Sequence, residues 1–315
     1  MSRIIASPSD PYAAPPPYRG RFAPSPTGPL HFGSLVTAVG SFLEARTRGG
    51  AWLLRMEDLD RPREQPRARD AILRTLEACG LTWDGPVAAQ SRRTEAYHAA
   101  LHRLAHAGAA FPCACSRREI ADSAVAGIEG PVYPGTCRGG LPHGRRPRAI
   151  RVLTAGAEPV VFADALQGEV RQDVAAEAGD FIIYRADRIV AYQLAVVVDD
   201  ALQGITDVVR GADLLHSTPR QILLQRLLGL PTPRYVHLPV AVNAAGEKLS
   251  KQTRASAVDV AHPVPALVAA MRFLGHPPPG LEAASVATFW QWALENWRLE
   301  RVPRAAAIRV DASGR

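Results

Sequence analysis

The sequence predicts an α/β protein: a doubly wound domain on a buried parallel sheet, interrupted by a small cysteine-bearing insert and closed by a short helical C-terminal region. Three observations carry this. Short apolar runs at 51–55 and 189–198 lack the alternation of half-exposed strands and suit a sheet covered on both faces. The opening loop, helix and strand form a βαβ-type unit, the usual start of a doubly wound nucleotide-binding domain. From Phe111 to about Arg151 periodicity gives way to Cys, Pro, Gly and Arg, the composition of an insert with little core of its own.

Taken in order, residues 1–18 are rich in Pro, Ser and Ala, end in Pro15-Pro16-Pro17 and lack an apolar signal core, which reads as a flexible leader. The segment 21–29 (RFAPSPTGP) is an extended, turn-rich loop, because each proline disfavours helix at the residue before it. Leu35, Val39, Phe42 and Leu43 then recur at helical spacing. Residues 51–55 read as a buried parallel strand, and 67–80 and 93–110 as amphipathic helices. Beyond the insert, 148–153, 158–172, 182–184, 189–198 and 207–210 read as strands. A helix over 218–228 has Ser217 or Thr218 as its cap and stops before Pro231 and Pro233. The tail carries helices over 264–274 and 284–297.

The 315 residues carry a formal net charge of +7, with 47% hydrophobic and 21% charged residues, which is globular usage and excludes a disordered chain. No apolar run approaches the roughly 18 residues of a membrane-spanning helix. The expectation is a cytoplasmic monomer without a membrane partner. Four cysteines are too few for a disulfide scaffold, and the positive balance admits a polyanionic partner such as nucleic acid.

Lysine usage is more informative. Every basic side chain is arginine except Lys248 and Lys251, both inside Lys248-Leu249-Ser250-Lys251. A compact ammonium on a flexible stem does what a planar guanidinium does not, so a segment that keeps the only two lysines is marked as one where arginine fails. A second segment, Pro29-Leu30-His31-Phe32-Gly33-Ser34, places an imidazole and a glycine where a loop becomes a helix. Free N–H groups there attract phosphate, and glycine lets a ligand approach. Alone this is equally a helix cap. Together, a His/Gly helix start and a lysine loop can close on a triphosphate from two sides.

Three cysteines cluster: Cys113-x-Cys115 with Cys137. Tetrahedral zinc needs a fourth ligand, and Tyr133, His143 and Asp122 are the candidates. Cys79, alone in a helical stretch, reads as a buried small hydrophobe.

His31-Phe32-Gly33-Ser34 resembles the HIGH signature of class I aminoacyl-tRNA synthetases, and Lys248-Leu249-Ser250-Lys251 resembles their KMSKS loop. The departures are Phe32, Ser34 and Leu249. RFAPSPTG at 21–28, RMEDLD at 55–60, VRGAD at 209–213 and STPRQ at 217–221 are similar to the glutamyl and glutaminyl branch in particular. The resemblance runs from about Gly20 to Ser256. It implies a Rossmann-type catalytic domain, with 1–18 a leader, 19–112 and 186–256 its two halves, 113–185 the zinc-bearing insert with an acceptor-binding-like subdomain, and 257–315 the helical C-terminal region.

The resemblance also implies a ligase that activates glutamate with ATP and magnesium. It assigns phosphate stabilisation to His31 and Lys251, and ATP binding to His31, Gly33, Lys248, Leu249, Ser250 and Lys251. Glutamate falls to Arg21, Phe22, Ala23, Pro24, Ser25, Glu57, Tyr192 and Arg210. Two guanidiniums would each hold a carboxylate in a fork while Glu57 takes the ammonium. Read without the family, Glu57 suits a solvated salt-bridge face, Arg210 an ion pair with Asp213, and Tyr192 a core position on an apolar strand. The family pattern C-x-C…Y-x3-C selects Tyr133 as fourth ligand to one structural zinc, beside Cys113, Cys115 and Cys137.

After Lys251 the chain reads as two or three short helices, with no place for the large anticodon-binding region of full-length relatives. The expectation is a truncated paralogue of the glutamyl branch that esterifies glutamate to the queuosine base in the anticodon loop of tRNA(Asp). The alternatives are a minimal synthetase charging a tRNA 3′ end, or a non-catalytic RNA-binding paralogue. Arginines over 138–151 and 298–304 are candidates for phosphate contacts. Replacing Lys251 by Ala is expected to cut adenylate formation steeply while glutamate binding stays nearly intact. Unchanged pyrophosphate exchange in that variant would remove the role from Lys251.

Overall fold

The protein is described by a computed structural model covering residues 17–121, 126–128, 130–249 and 257–310. Strand β1 (Arg19–Phe22), helix α1 (Phe32–Thr47) and strand β2 (Ala51–Met56) open the fold, with β1 and β2 parallel and Phe22 opposite Leu54. After α2 (Ala68–Ala78), the two-residue β3 (Ala88–Ala89) extends the sheet beside Arg55 and Met56, again parallel. Helix α3 (Thr94–His106) leads to β4 (Ala110–Cys113), α4 (Arg117–Ala121) and the short strands β5 (Ala126–Gly127) and β6 (Gly130–Pro131). Then come β7 (Ala149–Val152), the hairpin β8 (Val160–Asp164) and β9 (Gly168–Gln172), α5 (Val174–Glu177) and β10 (Ile182–Tyr184). β7 lies between β4 and β10 in an antiparallel sheet.

The second half returns with α6 (Tyr192–Leu202), β11 (Asp207–Gly211), α7 (Thr218–Leu227) and β12 (Arg234–Leu238). β11 and β12 are parallel, and Tyr235 of β12 pairs with Asp164 at the end of β8. The two halves meet where the Thr206 N–H donates to the Arg19 carbonyl (3.0 Å) and the Arg19 N–H donates to Thr206 Oγ1 (2.8 Å). This sets β1 beside the start of β11. The chain ends through β13 (Val240–Val242), α8 (Pro263–Phe273), α9 (Val286–Asn296) and β14 (Ala307–Arg309), the last parallel to β13. Among the described residues no helix is long and apolar enough to cross a membrane.

Helix α1 is wrapped by this core. Leu35, Val39 and Leu43 are fully buried, and Gly40 packs so tightly that a Cβ there would stand 2.6 Å from Leu238 Cδ1. Trp52 sits between Phe22 and Phe42, with ring centroids 6.0 and 5.2 Å away. The tail helices belong to the same core: Trp290 meets Phe42 at 4.8 Å and donates its indole N–H to the Cys79 carbonyl (2.7 Å). Burial pushes the Cys79 thiol up to about 12, as suits a small hydrophobe.

Two expectations are corrected. The run 189–198 is not a strand: from Tyr192 it is helix α6, with Leu194 to Val198 buried on every side. A continuous apolar run is the pattern of both a buried helix and a buried strand, and three consecutive valines favoured the wrong one. Tyr18, placed by the sequence in a flexible leader, is instead tied to the fold: its carbonyl accepts from the Ala51 N–H (3.0 Å) and its ring lies 5.7 Å from the Arg48 guanidinium. Residues 1–16 lie outside the described residues.

Helix α6 ends in two adjacent buried carboxylates, Asp199 and Asp200. Arg55, with no exposed surface, donates to Asp200 (2.8 Å) and Gln203 (2.7 Å) and lies 3.7 Å from Asp199. Asp199 also accepts from Gln90, Tyr97 and Arg93. Removing one member of such a cluster leaves uncompensated charge in the interior. Arg55→Met should therefore lower the unfolding free energy by about 3–5 kcal/mol, read from the urea midpoint at constant slope. An unchanged midpoint would mean that the carboxylates do not depend on Arg55.

Candidate active site

A cleft of ≈ 690 Å³ opens beyond the C-terminal ends of β1, β2 and β11 and the start of α1. This is where a parallel sheet exposes its ligand-binding edge. It brings together Arg21, Phe22, Ala23, Pro24, Ser25, His31, Gly33, Glu57, Tyr192, Arg210, Lys248 and Leu249. Ser250 and Lys251 lie outside the described residues.

The two phosphate-binding candidates touch, although more than 200 residues separate them in the chain. His31 caps α1, its Nδ1 accepting from the Ser34 N–H (3.4 Å) and its Nε2 lying 3.0 Å from Ser34 Oγ. A Cβ on Gly33 would stand 3.2 Å from the Leu249 carbonyl oxygen, so glycine is what lets the lysine segment lie against the helix start. Leu249 is held there by its N–H donating to the Ala241 carbonyl (2.8 Å). The Lys248 ammonium pairs with Asp213 at the cleft mouth. Asp213 therefore serves lysine and not Arg210.

The two guanidiniums differ from the expected pair of open forks. Arg21 is already spent on Asp200, Nε to Oδ1 at 3.1 Å and Nη2 to Oδ2 at 3.3 Å. Burial alone would raise the Asp200 carboxyl, but Arg21 and Arg55 hold it below the usual carboxylate range. Arg210, also buried, donates from Nη2 to Thr218 Oγ1 and Gln221 Oε1 (both 2.8 Å), from Nε to His237 Nε2 (3.1 Å) and from Nη1 to the Tyr192 hydroxyl (3.2 Å). Among the described residues no carboxylate pairs with it. One Nη1 hydrogen and the Tyr192 hydroxyl proton are left to face the cleft.

Glu57 also lines the cleft, partly buried, with Arg55 Nη2 at 3.4 Å. Burial pushes its carboxyl up against the pull of Arg55 and Arg21, so an arriving cation would find a carboxylate short of partners. Tyr192 reaches the cleft because it is the first residue of α6 and not an inward position on a strand.

A second centre lies in the insert. The sulfurs of Cys113, Cys115 and Cys137 lie within 4.8 Å of one another. The Tyr133 hydroxyl is 3.6 Å from Cys113 Sγ and 3.7 Å from Cys115 Sγ, and the Cys137 N–H donates to it at 2.8 Å. Three sulfurs and one oxygen around a common point form a four-donor set that could hold a metal ion. His143 is exposed and is not in the cluster, and Asp122 lies outside the described residues.

Sequence reasoning missed His237 and Asp200, which touch the cleft residues Arg210 and Arg21 from behind, and Asp164 and Asp199, which stand one step further back. The only signal for His237 is register: it is the β12 partner of Arg210 on β11, and nothing local in the sequence says so.

A parallel α/β sheet whose strand ends join a helix-capping histidine to a lysine segment defines a class I synthetase catalytic domain. The model of that domain family, tRNA synthetases class I (E and Q), matches residues 18–283. A glutamate tRNA ligase from Elizabethkingia meningosepticum, solved in complex with its amino acid, shares the fold at a TM-score of 0.78 and 24% identity, covering 95% of this chain and 68% of that one. The glutamyl-Q tRNA(Asp) synthetase of Dechloromonas aromatica is 61% identical over 94% of this chain and 99% of its own length. That of Aromatoleum aromaticum is 59% identical over 96% and 95%. The chain is an aminoacyl-tRNA synthetase of the glutamate and glutamine branch, and within it belongs to the glutamyl-Q tRNA(Asp) synthetase family.

Proposed function

We propose that the chain activates L-glutamate with ATP and esterifies it to the queuosine base in the anticodon loop of tRNA(Asp). The observation that carries the amino-acid half is the Arg210 guanidinium: buried, bound among the described residues only by neutral groups, with one N–H and the Tyr192 hydroxyl left for a ligand in the cleft it lines. It offers a side-chain carboxylate two donors and an uncancelled positive charge. Glu57 takes the ammonium, and the edge of Arg21 left over from Asp200 adds positive potential. The acceptor half rests on relatives 54–61% identical over most of their length that carry this name.

In the first step a glutamate carboxylate oxygen attacks the α-phosphorus of ATP, forming the mixed anhydride as pyrophosphate leaves. His31 and the α1 N–H groups meet the phosphates from one side, and Lys248 and Lys251 from the other. Magnesium bound to ATP would neutralise phosphate charge. In the second step a queuosine ring hydroxyl attacks the anhydride carbonyl carbon, forming the ester and releasing AMP. No side-chain nucleophile is required; positioning and fixed charge carry the catalysis.

We further propose that Cys113, Cys115, Tyr133 and Cys137 hold one zinc as a staple for an insert with little core. Atomic absorption on chain purified without added metal should find one zinc per chain, and Cys137→Ser should lose it. Metal-free chain of full stability would remove the staple.

Transfer of labelled glutamate to purified tRNA(Asp), with and without queuosine, and to tRNA(Glu) tests the acceptor. Label is expected only on queuosine-bearing tRNA(Asp). Label on the 3′ end of tRNA(Glu) would make the chain a minimal conventional synthetase.

A further inference from the structure

Behind Arg210 stands a buried pair that does not line the cleft. His237 has no exposed surface, and its Nδ1 is 2.6 Å from Asp164 Oδ2. Parallel register places His237 directly beside Arg210, and Arg210 donates from Nε to His237 Nε2 at 3.1 Å. The neighbours decide the imidazole's protons. A guanidinium can only donate, so Nε2, which also lies 3.1 Å from the Thr218 hydroxyl, must offer its lone pair; a carboxylate can only accept, so Nδ1 must carry the hydrogen. Burial pushes His237 down to about 4 against the pull of Asp164, which keeps the ring neutral.

The other Asp164 oxygen, Oδ1, accepts from the Leu166 and Gln167 N–H groups at 3.0 and 2.9 Å and lies 3.3 Å from the His237 N–H. The carboxylate is thus anchored in the β8–β9 turn, and only Oδ2 faces the ring.

We propose that Asp164 and His237 are positioning residues for glutamate recognition, fixing the Arg210 guanidinium through a neutral imidazole of set tautomer so that its charge stays uncancelled for the substrate carboxylate. This rests on the reading of Arg210 as the carboxylate receptor. A carboxylate placed directly on Arg210 would hold it equally well but neutralise it. An imidazole orients it without that cost, and the compensating negative charge sits one ring further back.

Asp164→Asn is the decisive variant. Its oxygen must stay on the turn N–H groups, so its amide N–H₂ faces His237 Nδ1. The ring must then carry its hydrogen on Nε2, which faces Thr218 Oγ1 and the Arg210 Nε–H, so Nε2 can no longer accept from Arg210. Carboxylate-to-amide exchange behind an imidazole acts through such a tautomer reversal. In glutamate-dependent ATP–pyrophosphate exchange, Asp164→Asn is expected to raise the KM for glutamate at least about tenfold, with kcat and the KM for ATP within about threefold, the pattern of lost ground-state binding. His237→Leu should behave alike. His237→Gln, whose amide can donate to Asp164 and accept from Arg210, should stay within about threefold of the unsubstituted chain.

An unchanged glutamate KM in Asp164→Asn overturns the proposal, as does an equal rise in the KM for ATP. Nitrogen-15 NMR of the unsubstituted chain gives an independent readout should Asp164→Asn fail to fold: His237 Nε2 must resonate as an unprotonated nitrogen, and a protonated Nε2 overturns the proposal. The unsubstituted chain is also the control for the underlying reading. If it shows no exchange with glutamate, that reading fails; exchange with an indifferent Asp164→Asn removes the positioning role alone.

Discussion

Asp199 and Asp200 follow one another at the end of a helix with almost no access to water, and much of the structure is arranged around balancing them. Arg55 reaches them from β2, Arg21 from β1, Arg93 and Tyr97 from the start of α3, and Gln90 from the turn before it. These partners all come from the first half of the catalytic domain and the two carboxylates from the second, so the cluster pins the two halves together where the cleft opens. Its cost in desolvation is met only if the geometry is kept. A floor built this way cannot relax when substrate arrives, which is what a site relying on fixed charge requires.

Two segments more than 200 residues apart supply complementary things to that floor. The start of α1 brings backbone N–H groups and His31, fixed by a helix that is buried along its length. The segment around Lys248 brings ammonium charge on a loop, held by a few contacts to Ala241, Gly33 and Asp213. Phosphate chemistry gains from both, one side rigid for alignment and the other adjustable as charge moves to the leaving group.

The parts legible in the sequence were those carried by contiguous chemistry. The His31–Ser34 helix start, the lysine tetrapeptide, RFAPS, Glu57 and the three cysteines could each be read from a few adjacent letters, and the cleft or the insert gathers those of them that lie among the described residues. The strand β2 and the helices α1, α2 and α7 followed from periodicity or flanking prolines. What could not be read depends on partners distant in the chain. Helix α6 is not legible because its apolar run has no period, and the partners of the carboxylates in its last turns are distant in the chain. Arg21 was assigned an open fork because nothing near it announces Asp200, 179 residues away. Arg210 was given Asp213, three residues on, when the imidazole that holds it is its neighbour across a parallel strand pair. Parallel pairing joins segments that share no turn, so its register leaves no local trace.

The scarcity of lysine has a practical side. Lys248, with 44% of its side chain exposed at the mouth of the cleft, and Lys251 are the only two side-chain amines in the chain. An amine-selective acylating reagent is therefore, apart from the chain's amino terminus, a reporter on a single tetrapeptide. Protection by nucleotide would be read there without background from the rest of the surface.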